Sequence, residues 1–380
     1  MLQLFLIFTR LGCIGFGGPI ALIALIEQTV CKEQKWLDES AFAEIFSICK
    51  LLPGPVAVQM AICVGYRRHG RLGGLVAGLG FTLPAVILMI ILSILYVQNG
   101  TKEASKTLYV FKFMQDATLG VILLAIWDMG KSTINSWKMI LLTLLGAIII
   151  FRLPTYEPLV IIAFGMLGVI SSYKIKFNKT PIIIASSTPF SIWHGVLLAG
   201  SMTMLGQLLW IFIKAGEFSF GTGLAIIPLL HGDLVTSHHW LTNKQFLDGM
   251  ALGQMTPGPT TVSVVFFGYT IAGLVGVLIA LVGFYVPALF NTLILLPLFW
   301  EKLTNTRGLH SFLRFAFPAI IGGIISSGIK LGVVAMTHWY DYLVFIVSLV
   351  VVKKKILPIW AAIPLWGIIG LGIALFLTKG

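Results

Sequence analysis

The 380-residue chain is 58% apolar and only 11% charged, with a mean hydropathy of +0.98. A water-soluble domain of this size has no interior large enough to hide that much apolar surface, so a soluble fold is excluded. The net charge of +12 does not point to nucleic acid, because the basic residues fall mainly in short tracts between apolar runs, such as Arg67-Arg68-His69-Gly70-Arg71 and Lys353-Lys354-Lys355. That is the distribution the positive-inside rule gives to the loops of a membrane protein.

Apolar runs of roughly 17 to 25 residues, enough to cross about 30 Å of hydrocarbon, recur along the chain. The first, near 2–31, lacks a basic start and an A-x-A cleavage pattern and is expected to remain a membrane segment. Gly15-Phe16-Gly17-Gly18-Pro19 interrupts it. A polar loop ending in Trp36-Leu37 leads to a run near 41–64, interrupted by Leu51-Leu52-Pro53-Gly54-Pro55, and then to spans near 73–97, 107–128, 137–151 and 157–172. Residues 173–191, with Lys174, Lys176, Lys179 and Pro181, read as a basic linker. The pattern then restarts near 193–231 with Ser219-Phe220-Gly221-Thr222-Gly223, and near 246–268 with Met255-Thr256-Pro257-Gly258-Pro259. Four more spans follow near 274–298, 309–335, 341–352 and 357–377.

An internal duplication explains the recurrence. At an offset of 204 residues, Phe8, Gly12, Gly17, Trp36, Leu37, Pro53, Gly54 and Pro55 fall on Phe212, Gly216, Gly221, Trp240, Leu241, Pro257, Gly258 and Pro259. One residue is then lost, and at 203 Gly65, Tyr66, Gly73, Phe81 and Pro84 fall on Gly268, Tyr269, Gly276, Phe284 and Pro287. Arg67, Arg68 and Arg71 correspond to the uncharged stretch after Tyr269, which places the two loops on opposite sides of the membrane. The expected fold is all-α: a polytopic membrane protein of two homologous inverted repeats, 1–172 and 192–380, each of about five to six helices with broken or re-entrant segments. Inverted repeats with broken helices are a recurrent plan of secondary transporters, whose site lies where the repeats meet.

The interruptions carry the chemistry. Glycine and proline inside an apolar run break the helical ladder, and lipid cannot satisfy the freed groups, so the breaks must face protein or a water-filled cavity. Helices that restart at Gly18, Thr222 or after the Pro-Gly-Pro turns would aim free N–H groups at that cavity, which suits an anion. Close packing through small residues is the structural alternative. Arg10 and Lys214 occupy the same repeat position, seven residues ahead of Gly17 and Gly221, and an intramembrane charge is costly enough to imply function, unless it snorkels to an interface. Lys50, before the first Pro-Gly-Pro, is matched by Gln254. The candidate substrate-binding residues are therefore Arg10, Gly17, Gly18, Lys50, Pro53, Gly54, Lys214, Gly221, Thr222, Gln254, Pro257 and Gly258. Glu217, within the second Gly-rich segment, is the leading candidate for a coupling proton, with the matched pair Glu44 and Asp248 behind it; Asp116 and Asp128 read as span-end residues.

His231, His238 and His239 lie in a polar loop without the i, i+4 spacing or carboxylate of a metal set. The four cysteines, Cys13, Cys31, Cys49 and Cys63, form no CxxC and read as small apolar side chains. Walker A, HExxH and Gly-x-Ser-x-Gly patterns are absent, so neither a nucleotide-driven pump nor a common membrane hydrolase is supported, and no metal or cofactor is expected.

The order Phe8-Thr9-Arg10-Leu11-Gly12, Gly15-Phe16-Gly17-Gly18-Pro19, Trp36-Leu37-Asp38-Glu39, Leu51-Leu52-Pro53-Gly54-Pro55, Gly65-Tyr66-Arg67 and Gly80-Phe81-Thr82-Leu83-Pro84 resembles the chromate ion transporter family. The stretch from Gly216 to Pro287 is similar to that family's second repeat. The resemblance implies an inner-membrane carrier with two homologous halves in opposite orientation. It further implies export of chromate, with sulfate as a chemical look-alike, driven by the membrane potential or a proton gradient. Family members commonly carry Gln where this chain has Lys50. The expected partners are the oxyanion and the lipid bilayer; a homodimer is compatible with the pattern. The competing readings are an anion channel built from the same residues, exposed by non-saturable flux that builds no gradient, and a membrane-embedded lipid or phosphate enzyme, for which no nucleophile or metal set is visible.

Overall fold

A straight helix over Val56–Gly100, 45 residues long, would run about 67 Å, twice the thickness of the hydrocarbon layer. The chain resolves this by reversing. His69 (φ −143°, ψ 30°) and Gly70 (φ 63°, ψ −155°) leave the helical region, and the backbones of Gly65 and Gly73 come into contact across the turn. The same device recurs in Ser263–Phe290, where Ala272 (φ −141°, ψ 26°) and Gly273 (φ 58°, ψ −145°) bring Gly268 against Gly276. The offset of 203 residues read from the sequence is thus a repeat of conformation as well as of letters.

The computed structural model describes the chain except Gly17 and residues 101–104, 173–202, 220–222, 299–306 and 378–380; the expected basic linker falls outside the described residues. In the first repeat the helices are α1 (Leu2–Ile14), α2 (Gly18–Glu27), α3 (Glu39–Cys49), α4 (Val56–Gly100), α5 (Ser105–Thr133), α6 (Trp137–Arg152) and α7 (Glu157–Ser172). In the second they are α8 (Met204–Glu217), α9 (Ile226–Leu230), α10 (Asn243–Met255), α11 (Ser263–Phe290), α12 (Arg307–Ala335), α13 (Trp339–Lys353) and α14 (Ile359–Leu377). Among the described residues, six helices are long and apolar enough to cross a membrane. Large apolar side chains such as Ile148 on α6 and Val333 on α12 are exposed on the outer surface, where lipid replaces water.

The joints repeat in detail. α2 runs into a π-helical turn at Gln28–Glu33, and α9 into one at His231–Ser237. The Trp36 amide then bonds the Val30 carbonyl, and the Trp240 amide the Leu234 carbonyl, each at 2.9 Å. Lys35 and His239, one residue earlier, both adopt a positive φ. Asp38 caps α3 by accepting from the Ala41 amide at 2.6 Å, and Thr242 caps α10 through a capping box with Gln245. The Ala41 amide and the Ser40 hydroxyl hold the exposed Asp38 carboxyl below its ordinary range. The residue lost between the repeats has a structural counterpart. After the second Pro-Gly-Pro the chain makes a 3₁₀ turn, Thr260–Val262, where the first repeat enters α4 directly. A 3₁₀ turn rises about 2.0 Å per residue against 1.5 Å, so fewer residues cover the distance.

The Pro-Gly-Pro segments do not continue across the membrane; they turn back. Gly249 of α10 lies against Phe266 and Phe267 of α11, and Gly253 against Ser263, so α10 and the first arm of α11 run antiparallel with Pro257-Gly258-Pro259 at their tip. In the first repeat the free thiols of Cys49 and Cys63 lie 3.6 Å apart across the equivalent hairpin. α1 and α2 also fold over their interruption, with Leu22 and Leu25 against Gly15. In the second repeat Lys214 of α8 pairs with Asp233 beyond α9, so that arm folds back as well, and each repeat contributes two re-entrant segments. The repeats are inverted: in the second arm of α4, Gly78 faces Leu289 of α11 and Gly74 lies against Leu293 of the π-helical turn Asn291–Leu295 that continues α11, so equivalent helices run in opposite directions where they meet. The outer helices are exchanged, α5 packing against α13 and α14, and α12 against α6 and α7.

Candidate functional site

The four tips come together in reciprocal pairs. The Gly54 amide donates to the Ser219 carbonyl at 3.1 Å, and the Gly258 amide to the Gly15 carbonyl at 2.7 Å. Each Pro-Gly-Pro tip is thus tied to the Gly-rich tip of the other repeat. Gly223 in turn lies against Thr260 and Thr261, joining the two second-repeat tips. Gly54 (φ 128°) and Gly258 (φ 94°) hold backbone angles that L side chains rarely adopt, which is why glycine stands between the two prolines in both repeats. Gly18, with φ 82°, opens α2, and a side chain there would point into open space, so its end of α2 has room beside it.

The polar groups around the tips are unevenly shared between the repeats. The Pro53 carbonyl accepts from Gln59 Nε2 at 2.6 Å and from Asn291 Nδ2 at 3.3 Å, and Asn291 Nδ2 also donates to Glu217 Oε2 at 3.1 Å. Glu217 is thereby wired to the tip of the opposite repeat. Buried Gln254 Nε2, Gln59 Oε1 and Ser219 Oγ have no hydrogen-bond partner among the described residues. A buried amide or hydroxyl left unpaired costs about 1–3 kcal/mol, and all three of these lie beside the gathered tips. Serine and glutamine carry no repeat signal here, since Ser219 matches Gly15 and Gln59 matches Ser263. Only the fold reveals them.

The sequence-predicted residues separate. Pro53, Gly54, Gln254, Pro257 and Gly258 lie at or beside the tips, with Gly18 at the start of α2. Gly17, Gly221 and Thr222 fall outside the described residues. Lys50 is exposed, its ammonium 4.1 Å from the centre of the Phe46 ring. Arg10 is also exposed and lines an open outer groove of about 460 Å³ with Leu2, Gln3, Leu6, Ile7 and Gln34; it forms no ion pair among the described residues. Lys214 is paired with Asp233. The matched acids Glu44 and Asp248 diverge: Glu44 is exposed mid-helix, whereas Asp248 is fully buried and accepts from Tyr96 Oη at 2.6 Å and Gln115 Nε2 at 2.8 Å. His231, read as a loop residue, is buried in the π-helical turn and bonds Asn243 at 2.7 Å.

Two buried charge clusters between the repeats escaped the sequence reading. In one, Lys214 pairs with Asp233, and Gly232 of the same turn rests on Pro154, three residues before the buried Glu157. In the other, Lys112 of α5 pairs with Asp341 at 2.8 Å and Asp116 at 3.6 Å and donates to the Ala335 carbonyl. Asp116, expected at a span end, is therefore an interior residue with no solvent exposure. Removing one partner strands the others in a low-dielectric interior, so K112M is expected to cost about 3–5 kcal/mol. Thermal unfolding of the detergent-purified protein measures this; an unchanged midpoint would contradict it.

The sequence model of the family described as "Chromate transporter" matches twice, over residues 2–169 and 206–373. The chain is 31% identical to a chromate transport protein of Cupriavidus metallidurans over 331 residues, covering 87% of this chain and 82% of that one. It is 30% identical to a chromate transport protein of Pseudomonas aeruginosa over 348 residues (87% and 80% covered), and 29% identical to a probable chromate transport protein of Synechococcus elongatus over 353 (92% and 88%). No solved structure matches. Two successive matches falling on the two structural repeats, with relatives near 30% identical over most of their length, establish that this multi-pass membrane protein belongs to the chromate transporter family.

Proposed function

We propose that the protein is a secondary carrier of a tetrahedral inorganic oxyanion, chromate in the first place and sulfate as competitor or exchanged anion, exported across the inner (plasma) membrane by alternating access. The observation that carries this reading is the pair of reciprocal bonds Gly54 to Ser219 and Gly258 to Gly15, which gathers four re-entrant tips. A dianion leaving water needs many donors at once. Amides at helix starts supply them without a fixed counter-charge, and Gln254 and Ser219 add unpaired groups of their own. Arg10, at the outer groove and without an ion pair among the described residues, attracts the anion towards the α1–α2 tip; Lys214 acts through Asp233. With the cell interior negative, outward movement of a dianion is favoured by about 4.6 kcal/mol per 100 mV, twice the value for one charge. That is the physical ground for assigning export. Chromate and sulfate share shape and charge, so the site separates them by fit alone.

Flux of labelled chromate and sulfate in everted vesicles, with and without an imposed pH gradient, tests the reading. Saturable, gradient-building and mutually competitive uptake is expected, and R10Q is expected to lower it about tenfold or more, the equivalent of 1.4 kcal/mol, with insertion intact. Non-saturable flux that never exceeds equilibrium would make the protein a channel.

A further inference from the structure

We propose that Glu157 is the group that carries the coupling proton. Glu157 opens α7 in the first repeat, yet its side chain reaches into the second: a methyl on Gly323 of α12 would meet Glu157 Oε1 at 2.7 Å and Pro228 at 3.2 Å. It is fully buried, and neither carboxyl oxygen has a hydrogen-bond donor among the described residues. The π-helical turn that carries Asp233 seats Gly232 on Pro154, just ahead of Glu157. The charged groups carried by the elements packed against it are Lys214 of α8 and Asp233 of the π-helical turn, and they are already paired with each other. Further out, His238 neighbours Asp233, His231 is held by Asn243, Lys330 of α12 lies over the Phe151 ring, and Arg152 at the end of α6 is exposed.

One ammonium cannot neutralise two carboxylates. With Lys214 bound to Asp233, an ionised Glu157 would be an uncompensated charge in a dry interior, which makes this carboxyl the one suited to take up and release a proton. Loss of that proton breaks the O–H bond, sends the proton to water on one side of the membrane and leaves a carboxylate that competes with Asp233 for Lys214. Lys214 lies five residues before Ser219, whose carbonyl holds Gly54, so a change of partner pulls directly on the gathered tips. Glu217 has Asn291 as a donor and Asp248 has Tyr96 and Gln115; Asp116 shares Lys112 with Asp341 but lies 3.6 Å from that ammonium, whereas Glu157 forms no ion pair among the described residues.

The inference rests on the carrier reading, and two assays on the reconstituted full chain keep the two apart: chromate accumulation driven by a pH gradient, and chromate counterflow at equal pH on both sides. E157Q, which mimics the neutral acid, is expected to lose accumulation and keep counterflow. E157D is expected to keep accumulation with a displaced pH profile. Accumulation undiminished in E157Q, or accumulation and counterflow lost together in folded protein, overturns the proposal. If E157Q does not fold, an unchanged pH profile in E157D overturns it. Absence of counterflow in the unaltered protein would remove the carrier reading, and this inference with it.

Discussion

Alanine at Gly258 is expected to abolish oxyanion flux, and alanine at Gly54 to do the same. Both glycines sit at a positive φ, 94° and 128°, where a β-carbon costs about 1–2 kcal/mol in backbone strain alone. A methyl at Gly258 would also meet Ala85 Cβ at 2.9 Å, and one at Gly54 would meet Gln59 Nε2 at 2.6 Å and Ala288 Cβ at 3.2 Å. Relief requires the tips to part, which loses the bonds to Gly15 and Ser219 and leaves buried backbone groups unpaired at about 1–3 kcal/mol each. Transport is expected to suffer more than stability, because the strain is released by opening the proposed anion site. Flux per folded molecule in proteoliposomes, with monodispersity on size exclusion as the control, measures this. Either variant transporting at the unaltered rate would show that the tips do not form the pathway.

The second large effect falls on folding itself. G65A or G276A should prevent accumulation of folded protein, because the new methyl would press on the backbone of Gly73 or Gly268 across the hairpin, and no rotamer change relieves a clash with backbone. The cost is expected to exceed about 3 kcal/mol, the upper range for overpacking. The neighbouring Gly70 and Gly273 provide the contrast: a side chain there meets open space, so alanine incurs only the backbone strain of a region that favours glycine, about 1–3 kcal/mol. The yield of folded, monodisperse protein for the four variants, with thermal unfolding in detergent of those that fold, separates the two causes. Equal destabilisation at Gly65 and Gly70 would mean that close approach is not what glycine provides.

Much of the architecture could be read from Gly, Pro and Trp. These residues have jobs that other side chains cannot do, so they stay aligned between repeats while apolar positions drift. Hence the duplication, the four interruptions and the turn at His69-Gly70 were visible, and the span near 157–172 coincides with α7. The re-entry of the Pro-Gly-Pro segments was not, because an interrupted run reads alike whether the chain goes on or turns back; the contact of Gly249 with Phe266 decides it. Arg10 and Lys214 share a repeat position but not an environment, one exposed and the other tied to Asp233. The sequence also hid Glu157, Asn291 and the Lys112 cluster, since their partners are brought together across the repeats by helix exchange, and no periodicity encodes that.

The exchange of outer helices limits how the protein moves. α5 is lodged between the last two helices of the opposite repeat, and α12 between the last two of the first. A hinge that swung one half against the other would have to strip these helices from their sockets. Any gating displacement must therefore belong to the short arms α1–α3 and α8–α10 and the first arms of α4 and α11, sliding within a braced frame that stays still.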